Sequence, residues 1–487
     1  MKFSRYFGQA FFLSFFSVTF LSSVFLYQDG FALTNDQANR NPHKKNAQSL
    51  LATTDKKSAK TDSGSTIQSI PSSISGVSQT NSKNTNHEIS RVNLSPRVRR
   101  IDEGYLRLVK PGGTYFEELP STTFELALLN ERNNFPDQTL ALGGYLEFDN
   151  QYWNTHGDVI TGPNGTLPKK GYGIYTTTID VDAMANINSW TTFFAKVEQE
   201  NIDTPEAKMI FRKALVTFGN FDKSPFFLTA GKTFLPLGVF GGGGVWSVPM
   251  TRAVFRASEV PQVLLGYFKN GFNSNLSVFS NDSAADSQKL LDYVYSIYYT
   301  GAAPGGVGYK FGAGYLNDLR GLPSAIGSAY QSGGELSASK RVPAYDLNAE
   351  VSYFNIDLTA EFLSALRQGT YNNAVSNTGQ IVVSPGQSQG VPSAWELGAD
   401  YTHSWYGRPM YYSLSYSRTY HMAGIPMGWT SQPIPGPSAV NGIKFAWIAS
   451  IARAITDNFI LGAEWQRGYT YASRHGDAYT IDLSVYF

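Results

Sequence analysis

The stretch DAYTIDLSVYF, residues 477–487, decides how the rest of the chain is read. In an extended strand Tyr479, Ile481, Leu483, Val485 and Phe487 fall on one side, and Thr480, Asp482 and Ser484 fall on the other. One face is apolar and the other is wet. A soluble sandwich strand and a membrane-spanning barrel strand share this alternation, so the choice between them rests on the remaining residues.

The same period recurs upstream. From Thr139 onward Leu140, Leu142, Leu146 and Phe148 alternate with Tyr145, Glu147 and Asp149. Strands are expected near 139–150, 171–184, 189–200, 210–219, 226–234, 262–270, 272–281, 290–300, 305–316, 343–354, 355–366, 394–405, 409–420, 442–453, 457–469 and 477–487. Their connections alternate in length. Short links such as ANIN (185–188), Asn270-Gly271, GAAP (301–304) and YGR (406–408) are separated by longer ones at 151–170, 201–209, 235–261, 282–289, 317–342, 367–393, 421–441 and 470–476. Short turns on one side and long loops on the other are the pattern of an antiparallel transmembrane β-barrel of about 16 strands, an all-β fold enclosing an aqueous lumen.

The chain has 487 residues and no Cys, so neither disulfides nor thiolate metal sites organise it. Aromatic residues make up 14% and charged residues only 16%, which suits a barrel with aromatic belts at the membrane surfaces. Lys2 and Arg5 precede an apolar stretch from Phe11 to Tyr27 and then Gly30-Phe31-Ala32, the pattern of a signal peptide over 1–32. Residues 33–105 lack the apolar residues that would offset ordering entropy and read as a disordered basic tail. Residues 33–100 hold eleven Lys or Arg against four acids, +7; with +1 from the first 32 residues and +1 overall, 101–487 carries −7. Residues 106–138 form a pre-barrel segment containing the run TTFELALL, and the barrel occupies 139–487. The expected localisation is the bacterial outer membrane, with its lipid as a partner; no nucleic-acid partner and no cofactor is expected.

Passage of a solute is the function that an aqueous lumen implies, and strand parity gives its wall. Asp346, Glu350, Asp357, Glu361, Glu396 and Asp400 face the lumen on three successive strands, with Leu347, Val351, Leu358, Phe362, Leu397 and Tyr401 on the lipid side. Glu147, Asp149, Asp180, Asp182, Glu464 and Asp482 add acid, against Lys196, Lys310 and Lys444. Spread along a channel, such carboxylates read as solvated wall charges that favour cations rather than as metal ligands or acid/base pairs. The segment LPLGVFGGGGVWSVPMTRAVFRASEVP (235–261) joins four glycines to Trp246, Arg252, Phe255, Arg256 and Glu259. It reads equally as an inward constriction, with Arg252 and Arg256 offering charge-assisted bonds to an anionic solute, or as an ordinary surface loop. No Lys follows the glycines at phosphate-loop spacing, which argues against nucleotide binding.

GGYLEFDNQYWN (143–154) and GNFDKSPFFLTAGKTFLPLGVF (219–240) resemble the LbtU-type siderophore porins of Legionella and Coxiella relatives, over 139–487. The resemblance implies a sixteen-stranded outer-membrane barrel that admits an iron-siderophore complex without a large plug domain, and no room is left for one before Thr139. The terminal Phe487 resembles the ending that such barrels present to their assembly machinery. A polycarboxylate siderophore is anionic, so its capture would fall to Arg252, Arg256, Arg320, Lys340, Arg341 and Arg367, with Trp246 and Lys444 as further contacts. A general cation-leaning porin for other small solutes is the alternative, and an adhesin or a barrel enzyme the second. For the enzyme, His156 near Asp158 and His475 near Asp477 are the candidate pairs, against the plainer reading of solvated loop histidines; no catalytic or metal residue is assigned.

Overall fold

The computed structural model describes residues 124–126, 128–129 and 137–486, apart from 157–159, 163–164, 168–169, 201–207, 241–243, 245–246, 258, 280–291, 332–335, 338–339, 373, 376–380, 385, 389, 424, 426–441, 457 and 472. The expected signal peptide and basic tail, most of the expected pre-barrel segment, Trp246, Asp158 and Phe487 therefore lie outside the described residues.

Sixteen antiparallel strands close into one barrel. They are β1 Thr139–His156, β2 Lys170–Asn188, β3 Thr191–Glu200, β4 Lys208–Gly219, β5 Phe226–Thr233, β6 Val260–Lys269, β7 Phe272–Phe279 and β8 Asp292–Ala303. The second half is β9 Val307–Leu316, β10 Ala344–Tyr353, β11 Ile356–Ala365, β12 Ser393–Trp405, β13 Arg408–Tyr420, β14 Ile443–Thr456, β15 Phe459–Thr470 and β16 His475–Tyr486. Each pairs with its neighbours in sequence. β16 closes the ring on β1, where Leu146 meets Val485 and Trp153 meets Ala478. Closure leaves no unpaired strand edge, which lipid does not tolerate.

The outer face is apolar and the inner face polar. Leu347, Leu358, Leu397, Leu414, Leu461 and Ile481 are exposed, whereas Asp346, Asn348, Glu361, Glu396, Ser417 and Asp482 are buried. Aromatic rings gather on the outer face in two bands. One lies toward the long loops, where Tyr416 meets Trp395, Trp447 and Phe445, and Phe445 stacks on Tyr469. The other lies by the short turns, with Phe226 against Tyr267, Tyr299 against Tyr309 and Tyr401 against Tyr412. An apolar belt between two aromatic girdles matches a lipid bilayer in cross-section.

The short turns are built from residues suited to them. In the two-residue hairpin between β6 and β7, Asn270 and Gly271 both have positive φ, 50° and 78°, as a turn matching the strand twist requires. Between β2 and β3 the Asn188 side chain accepts from the backbone N–H groups of Trp190 and Thr191.

The long-loop end is not open water throughout. Inward residues at the strand ends (Phe279, Val294, Leu316, Leu363 and Ala394 among them) form one apolar cluster with residues of the loops 234–259, 317–343 and 421–442. The loop 317–343 carries α2, Ala325–Tyr330, and 234–259 carries α1, Met250–Phe255. Asp318 fastens the former by accepting from Val342 N and pairing with Arg320 at 2.8 Å. A parity argument sees strands only, so this core, contributed by loop residues folded into the barrel mouth, was outside its reach.

Candidate functional site: the lumen and its inward loop

The segment from Phe234 to Glu259 leaves the end of β5 and turns into the barrel. Several of its hydrogen bonds run to the far wall. Glu361 on β11 accepts from the backbone N–H groups of Val239 and Phe240, at 2.6 and 2.9 Å. Glu464 on β15 accepts from Ser247 N and from its hydroxyl, and Glu396 on β12 accepts from the Thr251 hydroxyl. Met250 N donates to Ser417 on β13 at 3.1 Å. An irregular loop inside a barrel has backbone donors with no strand partner, and a buried N–H without an acceptor costs about 1–3 kcal/mol. Wall carboxylates supply the acceptors. Close approach matters too, since a Cβ on Gly244 would lie 2.0 Å from a Glu464 oxygen.

Three of the residues expected as solvated wall charges, Glu361, Glu396 and Glu464, are thus buried and bonded to this loop. The others have varied surroundings. Glu350 lies 3.6 Å from Lys310. Asp346 accepts from Asn348, and Asp400, half-buried, accepts from Ser413. Asp357 is buried at the short-turn end of β11. Asp180 holds Lys196 at 2.7 Å.

The basic residues singled out in the sequence do not converge on one point. Arg252 is buried on α1, and the Arg256 guanidinium lies 3.9 Å from the centre of the Phe234 ring. Arg341 reaches Asp292 at 3.7 Å, while Lys340 and Arg367 are exposed. Lys444 is half-exposed and is the extra residue of a bulge, since Ile443 and Phe445 pair with the consecutive residues Thr470 and Tyr469. Parity cannot be carried across a bulge, so the lumen facing expected of Lys444 does not follow from its spacing.

A second bulge hid a charged cluster from the sequence reading. Between β3 and β4 the register shifts at Lys196/Val197, and the consecutive residues Arg212 and Lys213 are both buried. Arg212 grips Glu198 through two bonds of 2.9 Å and lies 3.8 Å from Glu259 of the inward loop. The signal was present as two adjacent basic residues inside an otherwise alternating strand.

Of the two histidine pairs, Asp158 of the first lies outside the described residues, and the members of the second both have other partners. His475 stacks on Tyr469, and Asp477 accepts both bonds of Arg467 together with the indole of Trp465. His403 stacks on Tyr401 at the turn end of β12.

Residues 115–339 match a family described as a protein of unknown function (DUF3573). No curated protein matches the chain. Among solved structures, a loop-deletion mutant of OmpT, an outer membrane protein of Vibrio cholerae, is 12% identical with a TM-score of 0.41, covering 72% of this chain and 100% of its own. Salmonella typhi OmpF in complex with daunomycin is 11% identical with a TM-score of 0.48, over 72% and 98%. An anion-selective porin from Comamonas acidovorans is 11% identical with a TM-score of 0.45, over 72% and 100%. At such identities and scores, the strand pairing itself carries the fold.

Proposed function

We propose that the chain is an outer-membrane channel for small solutes, with a lumen narrowed by the loop from Phe234 to Glu259, and that the solute it serves is a ferric siderophore. The observation that carries the channel reading is that loop, held across a closed, externally apolar barrel by wall carboxylates on β11, β12 and β15. A fixed constriction inside a lipid-facing barrel selects by size and charge. The siderophore is supported by the resemblance of 143–154 and 219–240, and the exposed Lys340 and Arg367 on the long-loop side give an anionic chelate its first contacts. Arg252 and Arg256 meet it deeper, where the inward loop passes, with Trp246 and Lys444 as further contacts. Assembly through the strand ending at Phe487 and export by the leader at 1–32 belong to the same reading.

A general cation-leaning porin is favoured by one observation, the buried carboxylates Asp346 and Asp357 on β10 and β11. Single-channel recording of the purified barrel in planar bilayers separates the two. Block that rises with ferric siderophore and not with the iron-free form supports the siderophore reading. Steady cation-selective current without block replaces it with the porin, and no current at all removes both.

A further inference from the structure

Ahead of β1, residues 124–126 and 128–129 are helical, and Phe124, Glu125, Leu126, Leu128 and Leu129 are all buried. What covers them is the inner wall of the barrel. Phe124 meets Phe194 of β3 edge-on at 5.0 Å, and the Lys213 ammonium of β4 sits 4.2 Å from the Phe124 ring centre. The Thr233 hydroxyl at the far end of β5 donates to Glu125 at 3.4 Å. Leu126 and Leu129 pack with Phe227, Leu264 and Phe268, and Phe221 of the turn after β4 borders that cluster. The adjacent residues Phe226, Leu228, Val263 and Leu265 are exposed on the outer face, so Phe227, Thr233, Leu264 and Phe268 point inward. The wall leaves room for the segment: at Gly219 a Cβ would come 3.0 Å from a Leu129 methyl.

From Glu125 beside Thr233 to Leu129 beside Gly219 and Phe227, the segment runs down the inside of β5 toward the short turns. Its apolar side faces wall positions that a water-lined channel would fill with polar residues. A barrel strand that places Phe and Leu inward needs something to cover them. Here residues of the same chain do so.

We propose that residues 124–126 and 128–129 are an internal plug, docked on the inner wall of β3 to β6, that restricts passage through the lumen independently of the loop from Phe234 to Glu259. The docking stands on the contacts above, and only its effect on current rests on the channel reading.

The test uses the full chain reconstituted in planar bilayers. Replacing Phe124, Leu126 and Leu129 together by Ser removes the apolar contacts without touching a barrel strand. Single-channel conductance is expected to rise by about two-fold or more. Equal currents in the two proteins, whether open or silent, overturn the plug. A second measurement stands if the triple variant does not fold. Because the chain has no Cys, Leu129→Cys and Tyr406→Cys each carry a single thiol, Tyr406 being 83% exposed in a short turn. The thiol at 129 is expected to react with a small cationic thiosulfonate at least about ten-fold more slowly than that at 406, as a docked segment must open first. Equal rates mean that the segment is not docked, and they end the proposal even if the barrel conducts.

Discussion

Glu361 is the point at which the inward loop is best tested. Its two carboxylate oxygens each accept one backbone N–H, from Val239 at 2.6 Å and Phe240 at 2.9 Å. Glu361→Ala leaves both donors buried without an acceptor, at about 1–3 kcal/mol each, so the docked loop loses about 2–6 kcal/mol. Glu361→Gln keeps one carbonyl oxygen and turns an NH2 group toward the other donor, so it loses about half as much. At 1.4 kcal/mol per factor of ten, even the low end for Ala raises the population of the released loop about twenty-five-fold. The readout is the frequency and dwell time of current steps in single-channel records, with heat-modifiable mobility on gels as the check that each barrel has closed. The expected order of step frequency is wild type, then Gln, then Ala. Folded Gln and Ala variants with traces like the wild type would refute the latch. Water reaching the vacated space reduces the size of the effect but not its order. Because Glu396 and Glu464 hold the same loop, Glu361→Ala combined with Glu464→Ala is expected to release it by more than the two single effects together.

Glu125 makes the docking of 124–129 sensitive to pH. Burial pushes its carboxyl up to about 7, with its own backbone N–H, the Lys213 charge from β4 and the Thr233 hydroxyl from β5 pulling the other way. A folded-state value above the unfolded one means that docking is fully supported below about pH 4.5 and weakens as pH rises through about 7, by roughly 3 kcal/mol at most. The Leu129→Cys thiol, normalised to Tyr406→Cys, should therefore become more reactive between pH 5 and 8 on the order of these values, and Glu125→Gln should flatten the trend. Gly271→Ala should lower barrel stability by at least about 1–2 kcal/mol, read as a lower denaturant midpoint in detergent. The residue has φ 78°, and a Cβ there would lie 2.0 Å from the Thr300 carbonyl oxygen, so an unchanged midpoint would contradict the hairpin geometry. Glu350→Gln with Asp400→Asn should lower cation over anion permeability, measured as the reversal potential in a salt gradient. An unchanged potential would mean that these two carboxylates do not face the permeation route.

The strands were legible because a barrel strand states its period twice, in apolar residues outside and polar residues inside. Expectations of 343–354 and 355–366 meet Ala344–Tyr353 and Ile356–Ala365. β1 outruns its expected end at 150 and reaches His156, because Gln151, Trp153 and Thr155 face inward there and an inward Trp breaks the apolar-out rule. The bulges at Lys196/Val197 and Ile443/Phe445 defeat parity locally, so neither the inward Arg212 nor the facing of Lys444 follows from spacing. The latch was not legible at all. Glu361 and Val239 are 122 residues apart, and Glu464 and Ser247 are 217 apart, and neither pattern distinguishes a carboxylate bonded to backbone from one bonded to water. The docked segment 124–129 shows the same limit. TTFELALL carries apolar residues at close spacing, but only the inward Phe194, Phe227, Leu264 and Phe268 identify what they pack on.

The acidity of the lumen changes meaning once its partners are known. A loop without regular structure needs acceptors for its N–H groups wherever water is displaced, and a carboxylate provides two strong ones from a single wall position. Glu361 and Glu464 are used in that way and Glu396 accepts from the Thr251 hydroxyl of the same loop, while Asp180, Glu198 and Glu350 face Lys196, Arg212 and Lys310. Six wall carboxylates are thus committed to loop or cation partners. Five of the twelve wall acids that read as cation-favouring in sequence are held by loop or cation partners, and the field along the lumen is weaker than the formal charge. An anionic solute would meet correspondingly less repulsion. The same argument sets a quantitative expectation for the reversal potential: a modest cation preference is consistent with bonded carboxylates, whereas near-ideal cation selectivity would require them to be free and would contradict the latch.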